Sequence, residues 1–216
     1  MKLETSGVLI ALRPFNERDC IGQIFTHDYG ILTGVLRAAA IAKKNKPLIG
    51  QLGAVVWGAR LDTQLGTFHW EAEKNLAAPL MASANGLVCM NSAFEILSVL
   101  LPERESYKVL YAATLDLLLK LAHGDFSEYL KWELLLLREL GYALDLSCCS
   151  GCGTTEDLKY LSPRTGRAVC SDCARPYLDK LYKLPVNLGV TLRFLENVCV
   201  QHGVQIPGVR KMIKFV

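Results

Sequence analysis

No stretch of the chain reaches the run of about eighteen uncharged apolar residues that a bilayer-spanning helix needs. No membrane partner is therefore expected, although 51% of the residues are hydrophobic and the mean hydropathy is +0.23. Catalytic signatures are missing too. The four histidines, His27, His69, His123 and His202, stand far apart, and no His-Glu-x-x-His, Gly-x-Ser-x-Gly or Gly-x-x-x-x-Gly-Lys pattern occurs. An enzyme is not expected; a hydrolase or redox enzyme would have to work through the cysteines on a substrate the sequence does not name. The opening MKLETSGVLIALR lacks a long apolar run followed by a small-residue cleavage site, so neither export nor a disulfide framework is expected. Acid is absent from whole regions. Between Tyr29 and Leu61 the chain carries Arg37, Lys43, Lys44, Lys46 and Arg60 without one carboxylate, and Arg210, Lys211 and Lys214 are likewise unopposed after Gly203. The net charge of +3 is small, so the placement of positive charge says more about partners than its total.

What is abundant is cysteine in one place. Five of the eight cysteines lie between positions 148 and 173, in CCSGCGTTEDLKYLSPRTGRAVCSDC. The spacing Cys149-x2-Cys152-x17-Cys170-x2-Cys173 is that of a closed tetrahedral zinc site, in which each knuckle sends two sulfurs to one side and a hairpin brings the pairs together. Four cysteines would fill the coordination sphere and leave no place for an activated water, so one structural zinc is expected. The segment LKYLSPRTGRAV reads as two short strands turning at Ser162-Pro163-Arg164-Thr165-Gly166. Cys148 is the spare, able to replace Cys149 only in a looser Cys-x3-Cys spacing. Against zinc stand a disulfide pair, a redox Cys-x-x-Cys and unrelated thiols; the redox motif normally comes with a thioredoxin-like βαβ setting, absent here.

Residues 6 to 73 alternate short apolar runs with polar or glycine-bearing turns: GVLIALRPF, IGQIFT, GILTGVLRA, LGAVVWGARL and GTFHWEAE. Five short strands suit a small closed barrel of the OB or SH3-like kind, which removes exposed edges. The link AAAIAKKNKP between the third and fourth strands carries Lys43, Lys44 and Lys46, with Arg37 and Arg13 nearby. A basic loop beside a barrel face can hold the phosphates of a single strand; it can equally be a solvated lysine cluster. Phe15, Phe25, Tyr29, Trp57, Phe68 and Trp70 offer either a stacking platform or core. Beyond APLMASANG, helices are expected from Leu87 to Leu101, Glu105 to Ala122, Phe126 to Leu140 and Leu188 to His202. On the third, Leu130, Leu134, Leu137 and Arg138 share a face, and Gly141 and Gly203 are expected C-terminal caps. The expected organisation is α+β: a five-stranded OB-fold barrel over residues 1–78, a helical domain over 79–147 and 184–216, and a zinc-ribbon insertion over 148–183.

Barrel, helical block and four-cysteine insertion in this order resemble the RecO family of bacterial recombination mediators. Matching stretches are Val8-Leu9, Arg13-Pro14-Phe15-Asn16-Glu17, Ile24-Phe25-Thr26, Gly30, Gly34-Val35-Leu36-Arg37, Leu101-Pro102-Glu103-Arg104-Glu105, Tyr129-Leu130-Lys131-Trp132-Glu133, Leu140 to Leu146 and Ser162 to Ala168. After Arg37 the family usually carries glycine and further basic residues, where this chain has Ala38-Ala39-Ala40. The resemblance implies a cytoplasmic, nucleoid-associated, non-catalytic protein of DNA recombination and repair. It would bind single- and double-stranded DNA, anneal complementary strands and, with RecR, help RecA displace single-strand-binding protein. Arg13, Arg37, Lys43, Lys44, Lys46 and Arg60 would form the DNA surface, with Lys159, Arg164, Arg167 and Arg175 of the ribbon as a second. By the same resemblance the acidic C-terminal tail of single-strand-binding protein would enter a helical groove rimmed by Arg104, Lys108, Lys131 and Arg138, with Trp132 as a wall. The competing expectation is an interaction adaptor with a structural zinc ribbon and no nucleic-acid binding.

Overall fold

Two compact units emerge from the computed structural model, which describes residues 1–44, 46–61 and 64–214. One comprises Met1–Phe126 with Pro207–Arg210; the other comprises Ser127–Ile206 with Lys211–Val216.

The first unit is built on five strands: β1 (Lys2–Pro14), β2 (Cys20–Thr26), β3 (Gly30–Leu36), β4 (Gln51–Gly58) and β5 (Gly66–Asn75). The ladders run β1-β2-β3-β5-β4 and return from β4 to β1, so each strand has two hydrogen-bonded neighbours and the barrel has no open edge. β3 and β5 pair in parallel, the others antiparallel. Leu9, Ile24, Leu32, Leu36, Val55, Trp57 and Phe68 fill the interior, and the Trp57 indole donates to the Thr33 carbonyl at 2.9 Å, which satisfies its one polar atom. β1 begins at Lys2 rather than at Gly7. Its first residues alternate exposed Lys2 and Glu4 with buried Leu3 and ladder onto β4 from Lys2↔Gly58. With one inward apolar residue in that stretch, the period-2 signal is too short to read.

Residues 7–10 of β1 are all buried, which requires apolar cover on the outer face of the barrel as well. Helices α1 (Ala84–Leu100) and α2 (Lys108–Ala122) belong to the same unit and provide it. Phe25 meets Tyr111 of α2 edge-on at 5.5 Å, and Ser98 of α1 donates to the Gln23 side chain. Leu110, Tyr111, Thr114, Leu117, Leu118 and Leu121 form the buried face of α2. Between the helices, Glu103 lies alongside Ile31 and the Arg104 N–H donates to the Ile31 carbonyl at 3.0 Å. Gly30 permits this: its φ is +61°, and a Cβ there would overlap the Glu105 carbonyl oxygen.

The second unit holds α3 (Glu128–Glu139), β6 (Leu158–Leu161), β7 (Ala168–Cys170), the short α4 (Ser171–Ala174), β8 (Tyr182–Lys183) and α5 (Leu188–Gln201). α3 and α5 pack together, and the buried Thr191 hydroxyl donates to the buried Glu133 carboxylate at 2.6 Å. The face α3 buries is Tyr129, Trp132, Glu133, Leu136 and Leu137, not the stripe expected from leucine spacing, of which Leu137 alone is fully buried. A glutamate that finds a donor can enter a core, and counting leucines cannot foresee it. Both long helices end at the expected glycines: Tyr142 N–H bonds the Leu137 carbonyl across Gly141, and Val204 N–H bonds that of Cys199 across Gly203. Among the described residues no helix is long and apolar enough to cross a membrane.

Candidate metal centre and nucleic-acid interface

The two cysteine knuckles are joined by a small three-stranded sheet, ordered β7-β6-β8. The β6–β7 hairpin closes through Ser162 and Gly166, and Asp145 straps its edge by exchanging backbone bonds with Gly166 and Ala168 at 2.8 and 2.9 Å. This sheet brings together the sulfurs of Cys149, Cys152, Cys170 and Cys173, all within 4.8 Å of one another, with Cys152 and Cys170 at 3.7 Å. Tetrahedral coordination with bonds of about 2.3 Å would place sulfurs roughly 3.8 Å apart, so the four cysteines can hold a metal ion with little movement. Backbone N–H groups of Gly151 and Cys170 point at the Cys149 sulfur, each at 3.3 Å. The Cys170 N–H foremost, then those of Cys152 and Gly151, lower the Cys149 thiol to about 6. Cys173, facing the sulfurs of Cys152, Cys170 and Cys149, is pushed up to about 12. The Cys149 and Cys173 thiols thus give up their protons unequally, and a cation among the four sulfurs would allow all four thiolates to coexist. A Cβ at Gly151 would sit 3.0 Å from the Cys173 sulfur, so the first knuckle needs glycine to let the second approach. The core beneath is small: Cys149, Val169, Cys170 and Ala174, with Leu158, Tyr160, Cys173 and Leu181 packed partly against it.

A second grouping lies on the barrel, where the β1–β2 turn meets the exit of β3. Asp19 joins them. Its Oδ1 accepts from the Ala38 N–H at 2.8 Å and its Oδ2 from the Asn16 amide at 3.0 Å, while Ala40 N–H donates to the Arg18 carbonyl at 3.0 Å. The Ala38 bond foremost, then Asn16 and the neighbouring guanidiniums of Arg37 and Arg18, hold the Asp19 carboxyl below its usual range. Ala38 sits at φ 55°, a left-handed conformation for which glycine is better suited. Ala39 is buried in the barrel core, and Gly50 N–H bonds the Leu9 carbonyl at 2.8 Å, so the link from 37 to 50 is pinned at both ends. Lys43, Lys44 and Lys46 stay exposed between the pins, with Arg13, Arg18 and Arg37 exposed at the base. Arg18 was legible only as part of a polar turn, Asn16-Glu17-Arg18-Asp19; its place beside Arg37 comes from the Asp19 bridge. Of the six aromatics, Phe25, Trp57 and Phe68 are core, Tyr29 and Trp70 are half-buried, and Phe15 is 55% exposed next to this basic group.

A family model described as the recombination protein O C-terminal region matches residues 82–205. A DNA repair protein RecO from Jannaschia sp. (strain CCS1) is 40% identical over 212 residues, covering 96% of this chain and 85% of that protein. Another from Ruegeria sp. (strain TM1040) is 37% identical over 190 residues, covering 86% and 78%. One from Granulibacter bethesdensis is 36% identical over 187 residues, covering 84% and 74%. The chain belongs to the RecO family of DNA repair proteins.

The remaining positions singled out in this RecO-family chain differ in what surrounds them. Arg60 and Arg164 are exposed and make no ion pair among the described residues. The other ribbon cations are each matched with an acid: Lys159 with Asp157 at 2.6 Å, Arg167 with Asp145 at 3.3 Å and Arg175 with Asp172 at 2.7 Å. Lys108 pairs with Asp28 at 3.3 Å, Lys131 with Glu128 at 2.5 Å and Arg138 with Glu139 at 3.5 Å. Arg104 lies over the Trp57 ring, 4.8 Å from its centroid. Such exposed pairs are weak and exchange readily, but each cancels part of the field a partner would meet. Trp132 is 3% exposed and packs beside Tyr129 in the core of its unit.

Proposed function

We propose that this chain is a non-catalytic recombination mediator whose barrel binds DNA through Arg13, Arg18, Arg37, Lys43, Lys44 and Lys46, with Phe15 as a stacking ring and Arg60 as an outlying contact. The observation that carries the reading is the Asp19 bridge, which gathers the β1–β2 turn and the base of the lysine link into one basic surface. Phosphates need several cations on one surface, and an exposed aromatic beside them accepts a base of any identity. In that role the protein binds single- and double-stranded DNA, anneals complementary strands and, with RecR, prepares gaps coated by single-strand-binding protein for RecA. Arg104 and Lys108 in the first unit and, separately, Lys131 and Arg138 in the second are candidates to meet the acidic tail of single-strand-binding protein. The resident metal is one zinc ion: four soft thiolates in a closed tetrahedron suit zinc and leave no open position for a substrate. Zinc supplies structure there by cross-linking the two knuckles, while the residues around it set the N–H···S bonds and the hairpin.

Fluorescence anisotropy of a labelled oligonucleotide across a salt series tests the DNA reading. Replacing Lys43, Lys44 and Lys46 with glutamine should weaken binding for all sequences alike and flatten the slope of log affinity against log salt by roughly 0.7 per lost contact on single strands. An unchanged slope would assign the lysines to solubility. Annealing of complementary labelled strands by the purified protein tests the mediator role.

A further inference from the structure

Beside the four-cysteine centre, within the second unit, lies a cavity of about 630 Å3. Its lining includes Arg164, Lys180 and Tyr177, all exposed, with Val169, Leu181 and Cys173 deeper, and it contains no carboxylate. The ribbon cations elsewhere are tied to Asp157, Asp145 and Asp172, whereas Arg164 and Lys180 have no ion pair among the described residues. Both line this cavity. The Tyr177 ring is 55% exposed between a short helical turn and Lys180, without a partner ring among the described residues. Two free cations, an exposed ring and serine and threonine hydroxyls around an apolar floor are together the chemistry of a nucleotide site: a face for the base, cations for the phosphate, hydroxyls for the sugar.

We propose that this cavity takes one nucleotide of a single DNA strand, with its base on Tyr177 and its phosphate between Arg164 and Lys180. The inference rests on the DNA-binding reading above and adds to it a second, separate contact. A divalent ion held by four thiolates would carry a formal charge of −2, which would repel phosphate from the floor. The phosphate therefore belongs at the mouth, where the two cations are exposed, and the uncharged base turns toward Val169 and Leu181. Stacking accepts any base, so the contact is tolerant of sequence.

The test uses the full chain with its metal content verified, and oligo-dT as the probe. Tyr177→Ala should weaken binding about five-fold or more, and Tyr177→Phe should retain it. Arg164→Gln with Lys180→Gln should flatten the salt slope by roughly 1.4, two contacts of about 0.7 each. An oligonucleotide carrying 5-iodouracil, irradiated with the unaltered protein, should cross-link at Tyr177, a readout independent of how any variant folds. Wild-type affinity and slope in these variants, with no cross-link on the ribbon while the lysine-link variant still binds poorly, would overturn the proposal and leave the barrel reading intact. Displacement of the strand from this site by equimolar thymidine monophosphate would also overturn it, by assigning the cavity to a free nucleotide. If the unaltered protein binds no oligonucleotide at all, the parent reading falls and this one with it.

Discussion

Removing one ligand, Cys170→Ser, is the most discriminating perturbation of the metal centre. Cys170 is buried, its sulfur is 3.7 Å from that of Cys152, and its own N–H donates to the Cys149 sulfur. The spare thiol, Cys148, adjoins the other knuckle and is in place to stand in for Cys149 rather than Cys170. Structural zinc contributes about 10–16 kcal/mol of apparent binding free energy in small zinc modules. A quarter share is roughly 2.5–4 kcal/mol, or about two to three powers of ten in the dissociation constant. In the small cluster beneath the site, only Val169 and Ala174 are buried apart from two of the ligands, so the packing at the cysteines themselves is thin, while Leu161 and Ala168 bury the far end of the hairpin. The expected result is metal lost to a competing chromophoric chelator at concentrations the unaltered protein withstands. Amide exchange at Ala168 and Cys170 should accelerate, while that of Ile24 and Leu32 in the barrel stays slow. Cys149→Ser should be milder, and the double change Cys148→Ser with Cys149→Ser should be as severe as Cys170→Ser. Full metal retention and unchanged exchange in Cys170→Ser would refute the assignment of a metal to these sulfurs.

Acidification should release the metal, since the folded Cys149 thiol lies at about 6 against an ordinary 9.0. Its contribution is fully present above pH 9 and is lost as pH falls through 6, so retention after chelator challenge should be high at pH 8 and poor at pH 5; equal retention at both would contradict this. Gly30→Ala should cost about 3 kcal/mol or more in a urea melt, combining roughly 1–2 kcal/mol for left-handed backbone with displacement of the Glu105 carbonyl. Ala38→Gly acts in the opposite sense, relieving the same backbone cost at φ 55° against the extra freedom of unfolded glycine; a gain of up to about 1 kcal/mol is expected from the same measurement. Thr191→Val, which keeps the volume but withdraws a donor from the buried Glu133 carboxylate, should cost about 2 kcal/mol, and a melt within error of the unaltered protein would mean that the bond contributes nothing net.

The sequence by itself determined the parts whose physics is local. Two Cys-x-x-Cys knuckles and a Pro-Arg-Thr-Gly turn can be read without tertiary context, because ligand spacing and turn geometry depend on a few neighbouring residues. Five alternating runs, and glycines at the ends of α3 and α5, are legible for the same reason. Only the tertiary structure decided which face of α3 is buried, because Glu133 enters the core by finding Thr191, 58 positions away. Only it drew Arg18 into the basic surface, through an aspartate that accepts from Ala38 across 19 positions. The cations were countable in the sequence, but their availability was not. Lys159 and Arg175 have an acid two or three positions away, but Arg167 finds Asp145 only across 22 positions, and only the fold leaves Arg164 and Lys180 together at the mouth of one cavity. Charge is composition, whereas the field a partner meets is set by pairing, and pairing exists only once the chain has folded.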